Sequence, residues 1–439
     1  PSAAAFVSKT PSSAARRGDL YHYYVLFLLT IAYTLSFLDR QIIAIISPAL
    51  KTDLQLTDFE LGLLKGLAFA LLYAVLAIPI AHYADRKSRK LIVGTAVALW
   101  SLMTAASAFA GSFLQLLVLR IGVGIGEAGG TAPSTSIISD YFPRELRARA
   151  LSLFSIGIPA GMMIAYVLGG WLTEVYSWRV ALLAAGAPGL VVAALIILTV
   201  REPQRGAMDP PGAGDARAED RASIIATARQ LFSIPSYALA AMALAAASFS
   251  ANGVGAWLVD FFARSHPDYP IMNVYFFLAV TSGLAYLAGA IIGGIVVDLA
   301  ARRRAGIYGY LPAAALALNV PIFLAALWVS DPLLSFAFWL PSSLLSGVYV
   351  GPTLALAQSL SPAKIRALSA AIFFFVVNVI ALGLGPTFVG VLAGALVDGW
   401  GQAVALQIAL SALLVPAVLA MGAYLRLGRG LDRDWREAK

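Results

Sequence analysis

The chain has 439 residues, a formal net charge of +8, 60% hydrophobic residues and only 12% charged ones. Soluble domains run at about 45–50% apolar and about 25% charged, so this composition excludes a single water-exposed globule. Cysteine is absent, which rules out disulfides, thiolate catalysis and cysteine metal sites; His22, His82 and His266 are too scattered to form a ligand set.

Hydropathy predicts twelve helical spans, each long enough to cross a hydrocarbon slab of roughly 30 Å. They cover 22–49, 59–83, 90–111, 114–138, 149–172 and 178–200, then 236–262, 272–297, 307–329, 334–358, 367–396 and 401–425. The expected fold class is therefore an all-α integral membrane protein with two six-helix bundles. A tail (1–21) precedes the first bundle (22–200); a linker (201–235) leads to the second bundle (236–425) and a final tail (426–439).

The first span carries Asp39 and Arg40 near its middle and is too long for a signal-peptide core, so it is expected to be retained. A charge at bilayer depth costs at least about 2.5–3.5 kcal/mol on insertion scales, so it usually faces the bundle interior and has a task. Asp39 is the expected proton carrier, because burial raises a carboxyl pKa while a nearby guanidinium lowers it. Its alternative role is a permanent ion pair locking spans 1 and 4. Adjacent helical residues point about 100° apart, so Arg40 is expected to meet a group on another helix.

The second span contains Lys65, which either snorkels outward or serves the substrate. The loop after it reads Ala81-His-Tyr-Ala-Asp85-Arg86-Lys87-Ser88-Arg89-Lys90. In the fourth span Arg120 and Glu127 lie two turns apart on one face, too far along the helix to bond each other. Glu127 facing span 1 is a second titratable candidate, or a structural one. Gly122, Gly126 and Gly130 recur every fourth residue and permit close helix contact. Gly124-Ile-Gly126-Glu127-Ala128-Gly129 formally spells a dinucleotide fingerprint, but it lies inside an apolar span without the strand that motif requires. No phosphate loop of the GxxxxGK type exists, so neither a nucleotide enzyme nor an ATP-driven pump is indicated.

The following loop reads Pro143-x-x-x-Arg147. In span 5, Gly157, Pro159 and Gly161 predict a bend, matched in span 11 by Gly383-Leu-Gly385-Pro386. The linker mixes Pro203, Pro210, Pro211, Gly206, Gly212 and Gly214 with charges.

Past span 8 the chain reads Gly294-Ile-Val-Val-Asp298-Leu-Ala-Ala-Arg302-Arg303, in the register of the loop around Asp85, and Pro362-x-x-x-Arg366 echoes Pro143-x-x-x-Arg147. The second bundle is expected to hold no charge well inside its spans, only polar groups such as Ser250, Asn252, Gln358 and Asn378.

Lysine and arginine crowd the loops after spans 2, 4, 8 and 10, whereas the opposite loops hold only Lys51, Arg179 and Arg264. Cytoplasmic loops carry that excess, so both termini and the linker are expected in the cytoplasm, and the net charge reports orientation rather than nucleic-acid binding.

The loop around Asp85 resembles the major facilitator signature between helices 2 and 3, with Ala81 and Ser88 where glycines are usual. Phe37-Leu-Asp39-Arg40-Gln41, Leu61-Gly-Leu-Leu-Lys65-Gly-Leu-Ala-Phe-Ala, Arg120-Ile-Gly-Val-Gly-Ile-Gly-Glu127-Ala and Ser139-Asp-Tyr-Phe-Pro143 resemble the Spinster family. The second half matches mainly by topology.

That resemblance implies a non-enzymatic secondary transporter working by alternating access, coupling protons to export of an amphiphilic, lipid-like solute such as a lysolipid or sphingolipid phosphate. A multidrug or small organic-acid exporter is the alternative. Asp39 and Glu127 are the expected proton-coupling residues, with Arg40, Arg120 and Lys65 as substrate or charge partners. Asp85, Arg86, Arg89, Arg147, Asp298, Arg302 and Arg366 are the expected conformational latch. No cofactor beyond the proton is expected, nor a nucleic-acid partner; the expected setting is a monomer in the inner (plasma) membrane.

Overall fold

The computed structural model describes residues 13–84, 86–208, 224–301, 304–361 and 366–437. All regular structure among them is helical. Lipid offers backbone groups no hydrogen-bond partner, so long apolar segments must close their bonds internally. In chain order these are α1 (Leu20–Asp53), α2 (Asp58–Ala84), α3 (Arg89–Ser107), α4 (Phe113–Tyr141), α5 (Glu145–Val175), α6 (Trp178–Thr199), α7 (Pro235–Ser265), α8 (Ile271–Ala301), α9 (Ile307–Trp328) and α10 (Pro332–Ser359). A last stretch, Ile372–Leu431, reverses at Gly401, whose φ of 74° is open to glycine at little cost. Its arms are α11 (372–400) and α12 (402–431), which completes twelve crossings.

Local chemistry sets the helix starts. Thr57 and Glu60 form a reciprocal capping box before α2, while Ser112, Ser177 and Asp331 cap α4, α6 and α10. Leu71, Phe109, Leu198, Ile291, Leu299 and Val415 point outward as the apolar surface a bilayer requires.

Some expected boundaries shift. The first helix begins at Ser13 and the last runs to Glu437, so the tails at 1–21 and 426–439 are partly helical. A short helix, Ile224–Phe232, lies in the expected linker, and its Leu231 is buried in the core of the second half.

With twelve crossings, both ends of the spanning region and the loops after α2, α4, α8 and α10 share one face, here the termini face; the opposite one is the far face. Toward the far face a single apolar core joins the halves, with Ile46, Leu50 and Leu61 packed alongside Trp257, Phe261 and Leu410. Toward the termini face there are two separate cores, one holding Leu29, Trp100 and Ile137 and the other Tyr237, Phe373 and Tyr424. Across the boundary α1 meets α7, α2 meets α11 and α5 meets α8. The halves are thus joined at the far end, and each keeps its own core at the other.

The two predicted bends do different work. In α5, a Cβ at Gly161 would stand 2.3 Å from the Thr34 carbonyl oxygen, so that glycine seats α5 on α1 within the first half. In α11, Gly383 instead faces Leu67 and Ala70 across the boundary. Wider π turns at Ala165–Gly169, Val280–Ala285 and Val379–Leu384 interrupt α5, α8 and α11, all three of them helices at the boundary.

Candidate transport site

Between the halves at mid-depth lies a cavity of about 380 Å³. Its first-half wall presents Arg40, Lys65 and Arg120 with Phe37 and Phe69; its second-half wall presents Asn252, Asn319, Ser342, Ser346, Trp339 and Tyr349. The second half is uncharged at the cavity, yet it offers hydroxyls and amides as well as apolar surface.

Asp39 and Glu127 lie behind the arginines, 1% and 2% exposed. Arg40 Nε donates to Glu127 Oε2 at 2.6 Å, and Ser36 Oγ donates to the same oxygen at 2.9 Å, which ties α1 to α4. The Arg40 guanidinium also lies 4.7–5.2 Å from the ring centres of Phe37, Phe69 and Tyr73, where cation–π attraction offsets part of its desolvation. Arg120 reaches the backbone oxygen of Asp39 at 3.4 Å. Among the described residues, Asp39 Oδ1, Glu127 Oε1 and Arg120 Nε have no hydrogen-bond partner. Buried polar atoms are usually satisfied, so this cluster has room for a proton or a polar ligand.

The glycines of α4 make that placement possible. A Cβ at Gly124 would stand 2.5 Å from the Phe69 carbonyl oxygen on α2, and one at Gly126 would stand 2.7 Å from the Trp100 nitrogen on α3. Gly122 and Gly130 likewise face Met103 and Trp100 of α3. Close seating of three helices leaves α4 able to aim Arg120 and Glu127 at α1.

Lys65 neither snorkels nor stands free. Its Nζ pairs with Asp260 Oδ2 of α7 at 2.5 Å, and the side chains of both ions are 1% exposed. Asp260 adds a buried second-half charge close to the helix end, where the expectation of no charge well inside the spans did not look. It sits two residues before the predicted end of the seventh span. Ser47 Oγ donates to Asp260 Oδ2 at 2.5 Å. Arg264, one turn further along α7, forks onto Asp58 of α2 at 2.7 and 2.9 Å, and Lys51 Nζ meets Asp58 at 2.7 Å. The paired arrangement Lys51–Asp58–Arg264–Asp260–Lys65 crosses between halves toward the far face. Thr387 Oγ1, donating to Gly62 O at 3.1 Å, lies in the same layer.

The expected latch divides. Asp85 and Arg302 lie outside the described residues. Arg366 opens the helix leading into α11, and its side chain is also outside the description. Arg86 and Asp298 are exposed, and Arg147 is half-buried in the first turn of α5. Arg89 enters a defined cluster, and its partners are unforeseen. Its Nη1 pairs with Asp140 Oδ2 at 2.5 Å, its Nε with Glu202 Oε1 at 2.9 Å, and its Nη2 donates to the Pro203 oxygen at 2.8 Å. Gly206 N–H donates to Asp140 at 3.0 Å, and Arg205 donates to the carbonyls of Ala84 and Lys87. Burial works against the Glu202 charge, but hydrogen bonds from the Lys90 N–H, Arg89 and Ser88 hold its pKa below the ordinary glutamate range. All these groups belong to the first half or to the segment just after α6. Asp140 was visible in the Ser139-Asp-Tyr-Phe-Pro143 motif; for Glu202 the only signal was a charge at a helix end.

Two pseudo-symmetric helical halves around a charged central cavity define a membrane transporter. A profile of the Major Facilitator Superfamily matches residues 29–386, and the chain belongs to that superfamily. Within that superfamily the chain is similar to Spinster proteins. It is similar to a bacterial homologue of the human lysosomal transporter Spinster, solved in an inward-facing, unoccupied conformation, with a TM-score of 0.85, 28% identity and coverage of 94% of this chain and 98% of that one. An MFS-type efflux pump of Mycolicibacterium smegmatis is 28% identical over 410 residues, 93% of each chain. The sphingosine-1-phosphate transporter SPNS2 of Danio rerio is 26% identical over 437 residues, 93% of this chain and 84% of that protein.

Proposed function

We propose that this Spinster-type transporter is a secondary active exporter that couples protons to the movement of an amphiphilic solute with an anionic head, of lysolipid or sphingolipid-phosphate type. It works by alternating access as a monomer in the inner membrane, with both termini cytoplasmic and the proton as its only coupling ion. The far-face seal then makes this conformer inward-facing. One observation carries the reading: Arg40 and Arg120 face the cavity while Asp39 and Glu127 stand behind them. A proton on a carboxylate frees positive charge toward the cavity, and an anionic head accepts it. A ligand shifts such an equilibrium only by as much as its affinity differs between the two states, and this arrangement supplies the difference. The cavity volume lies at the lower end of small-molecule sites, which suits a head group with its chain extending beyond.

A second reading, a multidrug or small organic-acid exporter, is favoured by the hydrogen-bonding wall of Asn252, Asn319 and Ser342 and by the similarity to an efflux pump. Reconstituted vesicles with an imposed pH gradient separate the two. Gradient-driven, saturable movement of lysophospholipid that collapses with a protonophore supports the lipid reading. Movement of organic acids or drugs alone overturns it.

A further inference from the structure

Among the charged groups, the far-face chain has a feature that the central cluster lacks. Lys51, Asp58, Arg264, Asp260 and Lys65 hold three cations against two carboxylates, so the buried array carries one positive charge in excess. Its inner end is Lys65, which lines the cavity, whereas Asp260 does not. Lys65 Nζ lies 3.8 Å from the centre of the Trp257 ring, which steadies the ammonium without occupying it as an anion would.

Asp260 has a second partner within reach. Its Oδ1 makes no hydrogen bond among the described residues and lies 3.6 Å from Arg264 Nη2 on the same helix. A guanidinium has five donors, so Arg264 can serve Asp58 and Asp260 together.

Resting on the anionic-solute reading above, we propose that Lys65 is an exchange site: the phosphate or carboxylate of the solute replaces Asp260 on Lys65, and Asp260 turns to Arg264. The exchange is balanced in charge, because one anion joins an array that was one anion short. It also swaps a pair between halves for a pair within α7. The Arg264–Asp58 fork, the Ser47 bond and the Thr387–Gly62 bond stay in place between the halves, so the far-face seal is weakened, not abolished, and only while an anion is present. A neutral amphiphile cannot release Lys65 without leaving a buried ammonium unpaired, and the seal holds against it. Lys65 therefore selects for charged cargo and links its arrival to opening.

The absence of cysteine allows a clean test. Spin labels at Thr52→Cys and Asp268→Cys, exposed positions on opposite halves at the far face, report the gap in lipid nanodiscs. Lauroyl lysophosphatidic acid and monolauroylglycerol share a chain and glycerol and differ by the phosphate. The expected result is a longer-distance population with the phosphate lipid and none with the neutral one. Asp260→Asn shows that population without ligand, and Lys65→Met loses the response to phosphate. Lys65→Arg retains it and serves if the Met variant misfolds. A wild-type response in Lys65→Met, an unchanged distribution in Asp260→Asn, or equal widening by both lipids overturns the exchange. Lysolipid flux without phosphate-dependent widening overturns the exchange alone. Widening without lysolipid flux supports the exchange and overturns only the lipid-export reading.

Discussion

The ions around Arg40 and those around Lys65 are buried to a similar degree, yet their partners lie on different sides of the molecular boundary. Arg40 and Glu127 both belong to the first half, so a relative movement of the halves leaves their bond intact. Lys65 and Asp260 come from opposite halves, as do Asp58 and Arg264, so any separation of the halves at the far face requires those bonds to break. A buried charge pair within one half can act as a sensor, because only a proton or ligand disturbs it. Across the boundary the same chemistry makes a seal.

The largest effect separates sensor from seal. Asp39→Asn keeps the shape of the side chain but cannot titrate, so pH-driven uptake is expected to fall to the level of protein-free vesicles while thermal stability is retained. Normal coupling by that variant would remove Asp39 from the sensor.

The seal should fail differently. Asp58→Asn leaves Arg264 and Lys51 short of a carboxylate at a largely buried site, where breaking such a pair costs roughly 3–5 kcal/mol. Much of that is relieved by opening, so the expected outcome is a lower melting temperature together with depletion of the far-face-closed conformer, read by the same spin-label distance. Gly390→Ala approaches the seal sterically, since its Cβ would stand 2.4 Å from the Asp58 carbonyl oxygen and push α2 from α11. An undisturbed closed population in both variants would show that the ion chain and the glycine contact do not hold the halves together.

A smaller, substrate-dependent effect sharpens the contrast. Arg40→Ala is expected to reduce flux of anionic amphiphiles several-fold more than flux of neutral ones, in paired uptake measurements. Equal losses would make Arg40 a structural tie between α1 and α4.

The smallest effect is at the termini face. Glu202 has a depressed pKa in the folded protein, so its contribution is complete above the ordinary glutamate value of about 4.3 and is lost as pH falls through the folded value. Docking of residues 201–208 is therefore expected to hold between pH 5 and 8 and to loosen only in stronger acid, seen as faster amide hydrogen exchange. Glu202→Gln should weaken it by about 1 kcal/mol at neutral pH and remove that acid limb. An identical exchange profile would assign the docking to Arg205 and Asp140.

The central cluster was readable as candidates because Asp39, Arg40, Arg120 and Glu127 interrupt long apolar runs, where a charge is costly and needs a partner. Asp260 stood five residues from the last residue of its helix, where charges are ordinary, and its partner is 195 residues away in sequence. Glu202 was hidden for the same reason, and Asp140, although visible in its motif, gave no sign of its partner; only their convergence on Arg89 distinguishes them. The repeated register of Asp85 and Asp298 was a sound sign of duplicated halves, but register carries no information about partners.

Hydropathy was sufficient for the number of crossings and their approximate limits, and with the polar linker for the division into halves. Those features follow from segment-by-segment transfer between water and lipid, a local free energy that composition determines. Which buried ion meets which, and whether the meeting lies within a half or between halves, depends on contacts among residues far apart in the chain. Close approach at Gly124, Gly126 and Gly390 sets those contacts, and hydropathy has no term for it. The Lys65–Asp260 bond joins α2 to α7 because the packed halves place them face to face, and only tertiary structure could decide that.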